Sequence, residues 1–123
     1  MKGRQILRDE NASTAVEFAI VGPIFLTLTV GMIYTCLLLF SMGSMQYAVE
    51  EAARCASVKT TVCTSSGTII TYAQGVYYGP VTAPTFTYST PACGHQVSGS
   101  SSFAFDIGLT TLTVPLTATA CFP

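Results

Sequence analysis

Cys93-Gly94-His95 sets a thiol two residues from an imidazole, and Asp106 is the one carboxylate after Glu51. A thiolate nucleophile needs a base beside it, and a structural zinc needs four ligands of N, S or O. His95 is the only histidine, and neither Cys-x-x-Cys nor His-Glu-x-x-His occurs. The set is too thin for a thiol or metal enzyme, so no catalytic residue, metal ligand or cofactor is expected. Cysteine has a second chemistry. Cys55, Cys63, Cys93 and Cys121 are candidate disulfide partners; four cysteines allow three pairings, and their spacing selects none. Each bridge adds about 2–4 kcal/mol by restricting the unfolded chain. The last group that draws the eye is Glu17, a lone carboxylate in "NASTAVEFAIVGPIF", Asn11 to Phe25.

Glu17 stands at the mouth of an apolar run. Phe18 to Phe40 carries no charge, and as a helix it would span roughly 34 Å, enough for a bilayer core of about 30 Å. A chain of 123 residues cannot surround so long a helix in a core of its own. The run is also too long for a secretory signal, whose apolar part is about 7–15 residues. Lys2, Arg4 and Arg8 precede it, and only Arg54 and Lys59 follow nearby, which favours a cytoplasmic N-terminus and an exported C-terminus. That topology places Cys55, Cys63, Cys93 and Cys121 where disulfides form. Cys36, inside the run, reads as a small apolar residue. Gly22-Pro23 reads either as a simple kink, since proline removes one helical hydrogen bond, or as the mark of a helix that packs against other helices.

Nine of the eleven charged side chains fall at or before Arg54, and a net charge of -1 gives no field for nucleic acid. Beyond the run, "SMGSMQYAVEEAARCASV" keeps helical spacing, with Met45, Val49, Ala52 and Ala56 on one stripe. Gly43 is a candidate break, and Glu50 with Arg54 a candidate ion pair at i, i+4. After Val58 the period becomes two. Phe86 and Tyr88 alternate with Thr85, Thr87 and Ser89, and Leu112 to Phe122 alternates with threonines around Pro115. Thr68–Tyr72 and Phe103–Ile107 are further strand candidates, and "TSSG" and "VSGSSS" read as loops. Pro115 predicts an edge strand or a break. The expected fold is α+β: a leader at 1–12, a long helix at 13–58 with a membrane span near 18–40, and a small antiparallel β-rich domain at 59–123.

"STAVEFAIVGPIF", the long apolar helix and "MQYAVEEAARCAS" together resemble the TadE-like family, the minor pilins or pseudopilins of the tight-adherence (Flp, type IVb) pilus system. The resemblance covers about the first 58 residues; the tail fits loosely. It implies a leader removed by a prepilin peptidase on the cytoplasmic side, between Ala12 and Ser13. It also implies that Glu17, the fifth residue of the mature chain, and Phe18 after it act in assembly. The family usually has Gly where this chain has Ala12, and a bulky apolar residue where it has Gly22. The implied partners are membrane lipid, other pilins and pseudopilins, the peptidase and the pilus assembly platform, with no nucleic acid. The implied location is the bacterial inner membrane, single-pass, with the C-terminal domain in the periplasm and with or without entry into the fibre.

A different class competes: an uncleaved single-pass envelope protein whose outer domain binds a ligand or scaffolds a complex. The two differ over Glu17. In the pilin reading its carboxylate pairs with the new α-amine of Ser13 on a neighbouring helix, which offsets the cost of placing a charge in a membrane. In the rival reading it sits solvated at the headgroups.

Overall fold

The computed structural model describes residues 3–80, 82–106 and 108–123, and of residues 3–11 it describes the backbone alone. Met1, Lys2 and the charged side chains of the leader therefore lie outside the described residues, as does Ile107. Helix α1 runs from Gly3 to Val58 and helix α2 from Ser66 to Val76. Strands β1 (Thr85–Ser89), β2 (His95–Asp106) and β3 (Thr111–Phe122) follow. The class is α+β, as expected. The chain divides into two compact units, Met1–Thr35 and Cys36–Pro123.

The first unit is helix alone. Pro23 lies inside α1. Its missing N–H frees the carbonyl four residues back. Hydroxyls in the apolar stretch are satisfied within the helix, Thr29 Oγ1 donating to Phe25 O and Thr35 Oγ1 to Gly31 O, both at 2.8 Å. This leaves no side-chain donor of these residues bare in an apolar medium.

The second unit has a core. Met45, Val49 and Ala52 are fully buried and Ala56 nearly so, the stripe that helical spacing predicts. Opposite lie Val97, Leu116, Ala118 and Phe86 of the sheet, with Ile69 and Ala73 of α2. Burying one Val, Leu, Ile or Met side chain stabilises by about 1.5–3 kcal/mol. Packing on that scale outweighs the ~1 kcal/mol that glycine costs a helix, so α1 passes through Gly43 without the expected break. Glu50 takes a different partner from the candidate Arg54: Gln46 Nε2 donates to its carboxylate, Oε1, at 3.0 Å.

The sheet is antiparallel in the order β1-β2-β3. Pro115 stands within β3, an edge strand, so the first of its two expected readings is correct. Three loop or strand expectations are corrected. Thr68–Tyr72 is helix, because Ser65 caps α2: its side chain accepts from Thr68 N, and Thr68 Oγ1 accepts from Ser65 N. "TSSG" is that cap and first turn. "VSGSSS" is the middle of β2, the central strand, where small residues admit α1: a Cβ on Gly99 would stand 2.9 Å from Phe86 Cε1 and 3.2 Å from Met45 Cγ.

Gly94 has φ +115°, and a Cβ there would run into Phe122 O and Pro123 Cα. Gly75, inside α2, has open space around it. Gly94→Ala is expected to destabilise by about 1–3 kcal/mol, from backbone strain and the clash. Gly75→Ala is expected to stabilise by up to about 1 kcal/mol. Thermal unfolding of the two variants in detergent checks the opposite signs.

Candidate functional site

The residues that sequence marks for processing and assembly all lie on α1. Ala12 and Ser13 are helical and exposed, and Glu17 follows Ser13 by one helical turn, on the same face. Glu17 is exposed and has no side-chain partner among the described residues. Phe18 is 78% exposed. From there the apolar surface continues. Ile24, Phe25, Leu28, Met32 and Leu39 are each more than half exposed. A surface of that extent is not left to water, and lipid or other apolar helices must cover it. Ala12–Val58 contains the one stretch among the described residues that is long and apolar enough to cross a membrane.

The cysteines resolve the ambiguity that their spacing left. Cys55 bonds to Cys63, and Cys93 to Cys121. The first ties the end of α1 to the turn before α2. The second ties the start of β2 to the end of β3, next to Gly94. Cys93 is thus spent on a structural bond and offers no thiol. His95 instead hydrogen-bonds Tyr88 through Nδ1, ring beside ring. Cys36 is free.

Two contacts were invisible to sequence patterns. Ser41 is completely buried, a polar residue just past the apolar run. Its Oγ donates to Leu37 O at 2.8 Å and shares a hydrogen bond with the Tyr77 hydroxyl. One turn on, Ser44 Oγ accepts from Tyr78 N at 2.8 Å. These serines receive the segment that leaves α2. Partners more than thirty residues apart leave no periodic signal, and serine there reads as an ordinary helix residue.

Burial raises the Tyr77 pKa from its ordinary value of 10.0, against a smaller lowering by the Ser41 bond. With the folded-state pKa above the unfolded one, the unfolded chain releases the proton first as pH rises. The Tyr77 contribution to stability should therefore be fully present below pH 10 and be lost above it, and Tyr77→Phe should lessen the fall in that alkaline range. Alkaline unfolding followed by circular dichroism checks this. The bridges give a second expectation. In the chain-entropy model a separation of 28 residues (Cys93–Cys121) is worth about 3.5 kcal/mol and one of 8 residues (Cys55–Cys63) about 2.5 kcal/mol. Cys93→Ser with Cys121→Ser should lower the unfolding midpoint more than the other double replacement. Peptide mapping should find only Cys36 alkylated before reduction.

Residues 12–54 match the family model described as TadE-like protein. The match begins at Ala12 and ends at Arg54, so it lies wholly on α1 and leaves α2 and the sheet outside it. No curated protein and no solved structure shows a match. The TadE-like segment and the single apolar helix fit a membrane protein associated with the tight-adherence pilus.

Proposed function

We propose that this protein is a pseudopilin: a minor subunit, anchored in the inner membrane, that helps assemble a tight-adherence (Flp, type IVb) pilus by helix packing and not by catalysis. The observation that carries the reading is the TadE-like match on α1, which starts at the expected cleavage position. The prepilin peptidase cuts between Ala12 and Ser13 on the cytoplasmic side, and the sheet domain lies in the periplasm. The cut creates an α-amine on Ser13. Within its own helix that amine is one turn from Glu17, and across a bundle it meets the Glu17 of a neighbour. An ion pair in an apolar setting is strong only when both charges are held together, and one left alone is costly. Glu17 would therefore set the axial register between adjacent helices, while Phe18 and the apolar side chains beyond it supply contact area. The partners on this reading are other pilins and pseudopilins, the peptidase, the assembly platform and lipid.

The test begins with the N-terminus. Protein purified from a host with its own prepilin peptidase should begin at Ser13 by mass spectrometry; a population starting only at Met1 would rule out processing. In a processed background, Glu17→Ala should abolish co-purification with the pilin subunits, and Glu17→Asp should retain part of it. Unchanged co-purification for Glu17→Ala would favour the uncleaved scaffold instead.

A further inference from the structure

We propose that the Ala12–Ser13 bond is cut only from an opened form of α1, and that Thr14 and Glu17 cap the helix end which this opening creates; the inference rests on the processing reading above. In the intact helix the bond is sealed. α1 begins at Gly3, so Ala12 and Ser13 lie more than two turns inside it and not at a frayed end. Helical pairing gives the Ala12 carbonyl the Val16 N–H, and a backbone coiled in this way cannot be laid along a peptidase as an extended strand. The rate of cutting then follows the population of an open form.

The residues around the bond favour opening at this place. Four of the six residues from Asp9 to Thr14 are Asp, Asn, Ser or Thr, whose short polar side chains compete for the backbone and suit helix starts. Thr14-Ala15-Val16-Glu17, just before the apolar run, has the spacing of a capping box. With Thr14 as the N-cap, its Oγ1 accepts from the Glu17 N–H and the Glu17 carboxylate accepts from the Thr14 N–H. In the intact helix the box is unmade. Residues 14–17 are helical throughout, and Glu17 has no side-chain partner among the described residues. Thr14 has a partner there, which it exchanges on opening. The same reciprocal arrangement starts α2, between Ser65 and Thr68.

Opening separates the N–H groups of Ser13, Thr14, Ala15 and Val16 from the carbonyls of residues 9–12. The box satisfies Thr14 again, and the dipole of the new helix end favours the Glu17 charge. The scissile carbonyl is left in extended chain. Hydrolysis breaks the bond from the Ala12 carbonyl carbon to the Ser13 nitrogen. Water supplies a hydroxyl to the carbon and a proton to the nitrogen; the new Ala12 carboxyl then gives its proton to the Ser13 amine. The acceptors at 9–12 leave with the leader, so the capped start becomes the resting form of the shortened helix. One Glu17 oxygen takes the Thr14 N–H, and the other is left for the amine of a neighbour. Thr14 and Glu17 are thus positioning residues for the cut.

The test uses the full chain in detergent with the host's prepilin peptidase, and mass spectrometry follows the cut over time. Amide hydrogen exchange of the uncut chain, without peptidase, reads the opening itself. Glu17→Ala should slow the cut roughly fivefold and slow exchange at Ala15 and Val16 by a similar factor. Glu17→Gln keeps the box and removes the charge, so it should be cut within roughly twofold of the native rate. Thr14→Val, without the oxygen, should be cut more slowly than Thr14→Ser. If Glu17→Ala is cut at the native rate, the cap is overturned and processing stands. If Glu17→Ala slows the cut but leaves exchange unchanged, Glu17 touches the peptidase and the cap is equally overturned. If Glu17→Gln is cut as slowly as Glu17→Ala, charge and not capping controls the step, and the proposal is wrong. If the native chain is not cut at all, the processing reading fails and takes this one with it.

Discussion

Burial sets the terms for this molecule. A helix of 56 residues exposes more apolar surface than the remaining chain can cover. The chain resolves this by giving one helix two surroundings. From Phe18 to Phe40 most of its side chains are apolar and exposed, many of them large, suited to lipid or to other helices. From Ser41 to Val58 the inward face narrows to Met45, Val49 and a run of alanines, which let a sheet approach closely. Glycine completes the approach from the other side, at Gly99. The change from bulky to small residues along one continuous element marks where the surroundings change.

The helical half was legible because its signals are local. Charge-free length, a four-three-four spacing and the setting of Glu17 all survive in a string of letters. Pairing in the β-rich half was less legible. β1 and β3 showed themselves by alternation, but the middle of β2 is Gly99 and serines, whose strand character comes from neighbours on both sides and not from propensity. α2 misled for the converse reason: the β-branched residues Ile69, Ile70 and Thr71 mimic a strand, and only the Ser65–Thr68 cap fixes the helix. Of the candidate site, the positions on α1 could be named in advance, whereas the disulfide pairing and the Ser41–Tyr77 contact depend on tertiary proximity that spacing does not encode.

The covalent and apolar resources of the second unit are unevenly distributed, and the distribution has a physical logic. Both disulfides lie toward the end where Ser57 meets Pro123. A domain this small has a modest core, and at that end cross-links substitute for the hydrophobic burial that it lacks. The opposite end has no bridge. It has Leu109, Leu112 and Tyr78, exposed, and the buried Ser41 hydroxyl satisfied by its own helix. Adding a bridge near the hairpin turn would fix strands that already have regular pairing. The covalent restraint thus sits where the strands end, and regular β2–β3 pairing holds the hairpin where no bridge does.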